Sequence, residues 1–145
     1  MRNIKFRGFG IVARKWFYGN LVLGNAGNYI AAADSDEDGD TITYYPIRTD
    51  TIGQFTGLVD CNGKEIYEGD IIHAKGGSID MDFGVVTYHK NGYFYIDDSF
   101  GKFPRDCVKP IGDFFDSIGR NDSFQEVTFH VSGNIHNEKI QKNEN

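Results

Sequence analysis

The chain has 145 residues, of which 39% are hydrophobic and 14% aromatic, so it can bury a core and is not a disordered chain. Its formal net charge of −6 disfavours a protein that coats duplex DNA nonspecifically, because such binding depends on counterions released by cationic side chains. No apolar run approaches the roughly 20 residues that a membrane helix needs, so we expect no membrane contact. The chain has only two cysteines, and we expect them to be reduced thiols in a cytoplasmic protein.

Four segments of the N-terminal part are rich in apolar, aromatic or β-branched residues, a composition typical of β-strands. The segments are Ile4–Phe9, Lys15–Leu23, Tyr29–Ala33 and Thr41–Tyr45. Asp38-Gly39 lies between the last two segments, and this pair tolerates the positive φ angles of a tight hairpin turn. The sequence therefore predicts a β-hairpin with an acidic tip.

Two Asn-Gly pairs, Asn62-Gly63 and Asn91-Gly92, predict two more hairpins for the same reason. They join Thr51–Val59 to Glu65–Tyr67 and Gly84–His89 to Tyr93–Asp97. Glu126–Val131 alternates as a further strand, whereas Gly112–Ile118 is the one segment that favours a short helix.

Short strands joined by such turns predict an all-β fold, a small barrel or sandwich of short antiparallel strands. Gly69-Asp70 opens one apolar strand, and Gly84 opens the next one with the pattern Gly-x-Val. Glycine permits a sharp entry into a bent strand, and the aspartate can accept hydrogen bonds from backbone amides of the turn. This combination occurs in SH3-like barrels, and it predicts an SH3-like portion at about residues 50–110.

The segment from Thr51 to Ile71 closely resembles the signature of the YopX family, small proteins of phages and prophages in bacteria. The same family's opening Lys-Phe-Arg, its Tyr-Gly and its closing Gly-Asn-Ile are matched by Lys5-Phe6-Arg7, Tyr18-Gly19 and Gly133-Asn134-Ile135. Gly8-Phe9 departs from the family's usual Ala-Trp, and no proline follows Gly-Asn-Ile. The resemblance implies an all-β fold with an SH3-like part and a phage origin. It implies no reaction, so no catalytic residue is carried over.

On this basis we predict one YopX-like β domain over residues 1–136. The last nine residues, 137–145, are mostly polar, and we expect them to form a flexible C-terminal tail.

The acidic stretch DSDEDGD, residues 34–40, has part of the spacing of a calcium-binding loop. Asp34, Asp36 and Asp38 stand at the first three ligand positions and Gly39 at the turn position. The closing position holds Tyr45 in place of a bidentate glutamate, and strands rather than helices flank the loop. We therefore interpret the stretch as a solvated hairpin tip, which leaves weak calcium binding open.

No cluster of histidines and cysteines has the spacing of a metal or nucleophilic site. The residues in question are His73, His89, His130, His136, Cys61 and Cys107. Three carboxylates, Glu65, Glu68 and Asp70, have a spacing that follows the turn opening a strand, so we assign them no acid–base role. The sequence thus predicts no catalytic residue, no metal and no cofactor, and a protein that is not an enzyme.

The N-terminal third carries a concentration of cations and aromatic rings. Residues 1–33 contain five cationic side chains and no Asp or Glu, although the chain as a whole is acidic. Arginine and lysine hold phosphates, and exposed aromatic rings stack on bases. We predict a ligand site in which Arg7 and Lys15 contact an anionic group and Trp16 or Tyr18 stacks, provided that they emerge on one face.

These features favour a phage- or prophage-encoded, non-enzymatic binding protein that acts on host or defence machinery. It would bind a host or phage protein, or sequester a small anionic, nucleotide-like ligand. The alternative is an accessory protein of phage replication that binds single-stranded nucleic acid, for which small barrels are suited. Exposed edge strands also favour a homo-oligomer.

Overall fold

The computed structural model describes residues 1–36, 39–97, 110–113, 115 and 127–142. They form two antiparallel sheets with little helix, which confirms the predicted all-β class. The chain divides into two compact units, Met1–Gly57 and Leu58–Asn145. Over the described ranges neither sheet closes into a barrel. The SH3-like portion and the single domain over residues 1–136 stay predictions.

The first sheet has six antiparallel strands in the order β4-β3-β2-β1-β5-β6. Its strands are β1 (Phe6–Phe9), β2 (Trp16–Leu23), β3 (Asn28–Asp36), β4 (Gly39–Ile47), β5 (Gly53–Val59) and β6 (Glu65–Tyr67), with a 3₁₀ turn at Thr49–Thr51 before β5. β1 to β4 lie wholly in the first unit, and β5 ends beyond the unit boundary at Gly57. We call this sheet the N-terminal sheet.

This sheet curls, because the end of β1 comes back to the end of β4. Gly10 forms a bridge with Ile47, and the N–H of Ile11 donates to the carbonyl of Pro46 at 2.9 Å. The concave side encloses a small core of Phe17, Ile30 and Ile47, joined by Phe6, Leu21, Tyr45 and Ile52. Gly8, which departs from the family's alanine, lies where an added Cβ would collide with the side chain of Ile47. The departure thus makes room for a core isoleucine.

The predicted acidic hairpin is confirmed as β3 and β4, which pair from Asn28↔Ile47 to Asp36↔Gly39. Residues 37–38, which connect the strands, lie outside the described residues. Near its turn end, Oδ2 of Asp34 accepts hydrogen bonds from Thr43 Oγ1 and Tyr45 OH at 3.1 Å each.

The second unit contains a four-stranded antiparallel sheet in the order β10-β7-β8-β9. The strands of this sheet are β7 (Asp70–Gly76), β8 (Ile79–His89), β9 (Tyr93–Asp97) and β10 (Thr128–Asn134). One side of the sheet packs on a core of Ile66, Ile72, Ala74, Phe83, Val86, Ile111 and Phe129. Residues 111–113 and 115 are helical, so the helix begins one residue before the predicted Gly112–Ile118 segment.

The turn residues of the second unit behave as their types predict. Gly63 and Gly92 have φ angles of +79° and +91°, which confirms the two Asn-Gly hairpins. Gly69, at +92°, opens β7, and the buried carboxylate of Asp70 accepts the backbone N–H of Tyr67 at 2.8 Å. The aspartate thus has the turn-stabilising role that the sequence suggested.

Asp60 is a second buried carboxylate with a structural role. Its oxygens accept the backbone N–H groups of Asn62, Lys64 and Val131 at 2.9, 2.8 and 3.0 Å. Burial alone would raise the pKa of Asp60, but these three donors outweigh it and hold the pKa below 3.8. The side chain therefore ties the turn after β5 to the edge of β10.

The C-terminal segment predicted as a flexible tail begins with a short helix, Asn137–Lys142, in which Ile140 is buried. Within the described parts of the chain, no helix combines the length and the apolar composition needed to cross a membrane.

Candidate functional site: the outer face of the N-terminal sheet

Side chains alternate along each strand of the N-terminal sheet between the curled core and the opposite side, which we call the outer face. The strand register places on it Tyr18, Asn20 and Val22 of β2, Tyr29, Ala31 and Ala33 of β3, and Ile42, Tyr44 and Pro46 of β4. None of these positions holds Asp, Glu, Lys or Arg, whereas the same alternation places Arg7 of β1 and Asp40 of β4 at the margins of this face. Tyr18, Val22, Ile42 and Tyr44 are 48%, 36%, 59% and 58% exposed. The outer face is thus an apolar surface rich in tyrosine.

Three of the four sequence-predicted ligand residues lie at the β1–β2 end of this face. Arg7 pairs directly with Tyr18 across β1 and β2, and Phe9 pairs with Trp16. The guanidinium carbon of Arg7 lies 4.8 Å from the centre of the Trp16 ring, a cation–π contact. Arg7 is only 4% exposed, whereas its neighbour Tyr18 is open to solvent.

The fourth predicted residue, Lys15, contacts a different ring. Its Nζ lies 5.2 Å from the centre of the Phe17 ring, which stacks on Tyr45 in the curled core at 4.0 Å. The structure therefore brings together Arg7, Trp16 and Tyr18 but not Lys15. That these four residues bind a ligand stays a prediction.

A second group of polar side chains, centred on His73, lies on the solvent side of the second sheet. His73 stands opposite His130 on β10 and opposite Asp82 on β8. Its Nδ1 lies 2.8 Å from Oδ1 of Asp82 and its Nε2 lies 2.6 Å from Oδ1 of Asp80. Ser132 Oγ also donates to Oδ1 of Asp82, at 3.0 Å.

These contacts favour the charged form of His73, since an imidazolium can donate to both carboxylates at once. The hydrogen bonds to Asp82 and then to Asp80 raise the pKa of His73 above 6.5, and partial burial opposes them. In return, the hydrogen bond from His73 lowers the pKa of Asp80 below 3.8.

This group can stabilise the sheet, but its arrangement does not favour nucleophilic chemistry. Both ring nitrogens of His73 are engaged by carboxylates, and the hydroxyl of Ser132 is directed to Asp82 rather than to the imidazole. A nucleophilic serine would need a free imidazole nitrogen within hydrogen-bond reach. Among the described side chains, no group of three or more His, Cys, Asp or Glu residues is placed to hold a metal ion.

The sequence interpretation treated His73 and His130 as ordinary strand residues and missed this group. Its members come from β7, β8 and β10, so no local spacing reveals it. The one available signal was the β7–β8 hairpin itself, in which alternating Asp80 and Asp82 return past His73.

The family model described as YopX protein matches residues 5–139 of the chain. No curated protein matches the chain.

Proposed function

We propose that this chain, which belongs to the YopX family, is a phage-type binding protein that holds a protein partner on the outer face of its N-terminal sheet. The partner would belong to host or defence machinery, and the protein would act by occupying it rather than by turning over a substrate.

The observation that carries the proposal is the apolar character of the outer face. An antiparallel sheet with one face on the core usually presents polar side chains on its other face. Here Tyr18, Val22, Ile42 and Tyr44 remain between 36% and 59% exposed. The charged positions Arg7, opposite Tyr18, and Asp40, two residues before Ile42, lie at the margins of this face. Exposed apolar patches mark interaction sites, and tyrosine is enriched in the central parts of protein interfaces.

The contacts of the N-terminal cations support a protein partner over a small anion. Lys5, Arg7 and Lys15 each lie over an aromatic ring, Phe55, Trp16 and Phe17, at 5.1, 4.8 and 5.2 Å. Arg7 is buried as well, so a phosphate would have to displace its indole contact to reach it. Tyr44, by contrast, is 58% exposed, so its ring is accessible to a partner.

Site-specific photo-crosslinking in a bacterial host tests the proposal directly. A photoreactive phenylalanine derivative replaces Tyr18 in one variant and Tyr88 in the matched control, since these tyrosines are 48% and 51% exposed but lie on different sheets. We expect a discrete crosslinked protein from position 18, lost when Val22→Asp is added, and none from position 88. Equal labelling at both positions, or no protein adduct at position 18, would refute the proposal.

Single-stranded nucleic acid is the second candidate, and one observation favours it. Tyr18 is exposed directly beside the Arg7–Trp16 pair, so a base could stack there while the backbone follows the cations of residues 1–33. Oligonucleotide binding measured by fluorescence anisotropy should then weaken steeply with salt and with Tyr18→Ala. Binding that does not depend on salt, or no binding, excludes this candidate.

A further inference from the structure

Before its bridge to Gly10 at Ile47, the outer edge of β4 has no neighbouring strand among the residues that the structure describes. Successive residues of an antiparallel strand point their backbone groups alternately toward one neighbour and the other. The carbonyl of Pro46 points away from β3, because it accepts the N–H of Ile11. Tyr44 and Ile42, two and four residues earlier, therefore also point their N–H and C=O groups outward. In the described part of the chain, no backbone hydrogen bond reaches these outward groups.

The corresponding edge of the second sheet is covered. At β10, the carbonyl of Phe129 accepts the N–H of Cys61, and the N–H of Val131 donates to the carboxylate of Asp60. Natural proteins usually cover or charge their edges in this way, because a bare edge pairs with other strands. On β4 the open positions instead carry Ile42 and Tyr44, 59% and 58% exposed.

The two ends of this edge carry opposite charge. Asp34, Asp36 and Asp40 lie at the hairpin end of β3 and β4. At the other end, the turn that carries Arg14 and Lys15 is held beside Pro46 by the Ile11 hydrogen bond and by the N–H of Gly10 donating to the carbonyl of Lys15 at 2.8 Å. If the β4 strand of a second copy paired antiparallel with this one, its acidic end would lie on this basic turn. By symmetry, the acidic end of the first copy would lie on the basic turn of the second.

We propose that two copies of this chain associate through the outer edges of β4, antiparallel and with Ile42 opposite Ile42 of the second copy. This inference goes beyond the proposed function, because it rests on backbone groups and end charges rather than on the outer face. Pairing centred on Tyr44 is disfavoured, since it would set Ile42 against Pro46, which has no N–H and a carbonyl already bonded to Ile11. The pair is two-fold symmetric, so both acidic ends meet basic turns.

The experiment measures molar mass against concentration by sedimentation equilibrium. For the full chain we expect about twice 16.3 kDa at the higher concentrations, with weaker association as salt is added. Ile42→Pro removes the outward N–H and leaves the bonds to β3, whereas Ile42→Ala shortens the same side chain and keeps the N–H. Ile42→Pro should weaken the dimer about tenfold or more relative to Ile42→Ala.

A monomer at every concentration, or equal weakening by the proline and alanine variants, overturns the proposal. Circular dichroism verifies that both variants fold. If Ile42→Pro does not fold, Ile42→Cys in a Cys61→Ser background decides, because cysteines at a symmetric pair lie within disulfide range. We then expect an oxidised dimer from Ile42→Cys but not from Val22→Cys or the Cys61→Ser chain. If the three chains oxidise to the same extent, the proposal is also overturned. Crosslinking at Tyr18 on β2 reports separately on the outer face.

Discussion

The solvent-facing sides of the two sheets differ in polarity. That of the second sheet holds a hydrogen-bonded polar group in which His73, Asp80, Asp82 and Ser132 satisfy one another. The outer face of the N-terminal sheet holds tyrosines, aliphatic side chains and an asparagine, with Arg7 and Trp16 at its β1–β2 end. The polar groups of the second sheet form hydrogen bonds with one another, whereas the outer face exposes apolar side chains to solvent. This difference is the reason for proposing that the interaction surface lies in the N-terminal unit.

The largest effect on stability is expected from a residue on the core side of the N-terminal sheet. Ile30→Ala removes a side chain that is fully buried in the curled core and should lower the free energy of unfolding by about 2–5 kcal/mol. Denaturant unfolding of the variant and the parent gives this difference. A loss below about 1 kcal/mol would mean that the curled core is not what stabilises this unit, and the distinction between inner and outer face would fail.

The next effect compares one carboxylate from each unit. Asp60→Ala leaves three amide donors without their acceptor and should cost about 2–4 kcal/mol. The matched variant Asp34→Ala loses two exposed hydroxyl donors, which water can replace, and should cost less than about 1 kcal/mol. Equal losses in denaturant unfolding would contradict the structural role of Asp60.

The two aspartates also predict different acid sensitivity. Because the folded pKa of Asp60 lies below 3.8, its stabilising contribution is present above pH 3.8 and is lost as the pH falls through the folded value. Asp60→Ala should therefore flatten the acid limb of the stability curve.

His73 should produce a smaller effect with the opposite pH dependence. Its pKa is raised in the folded protein, so its contribution is complete below pH 6.5 and is lost as the pH rises through the folded pKa. The titratable and charged groups around it are Asp80 and Asp82 on β8, His130 on β10 and Lys75 on β7. Because both carboxylates are substantially exposed, we expect a small contribution that decreases as salt is added.

Unfolding at a pH below 6.5 and at a pH near 9 measures this contribution. His73→Gln should remove the difference, whereas His89→Gln, on the same sheet, should preserve it. A proton titration of His73 by NMR that gives a pKa below 6.5 would contradict the geometry of the polar group.

The turns were the most predictable part of this fold. Gly63, Gly69 and Gly92 adopt positive φ angles at positions where the sequence called for them, and the hairpins follow from those angles. Local chemistry decides such turns, so neighbouring residues suffice to predict them. The class of the fold follows from the number of turns and the alternation between them.

The candidate sites were less predictable, because they depend on which strands become neighbours. Alternation indicates that Trp16 and Tyr18 share a side, but it does not show that Arg7 packs against Trp16 or that Lys15 reaches Phe17. The His73 group needs three strands in register. The burial of Ile140 in the tail depends on tertiary packing that the polar composition there conceals.

The smallest effect on stability is expected from a substitution on the outer face. This substitution is the sharpest test of the comparison between the core side and the outer face. Tyr44→Thr keeps a residue that favours strands on a surface position that is 58% exposed, so we expect a change within about 0.5 kcal/mol in denaturant unfolding. The same variant should reduce the protein crosslink formed from position 18, because it removes a tyrosine from the shared interface. If Tyr44→Thr costs as much as Ile30→Ala, the tyrosine supports the fold. A side chain that contributes little to folding, yet is required for the crosslink, is part of the surface that binds the partner.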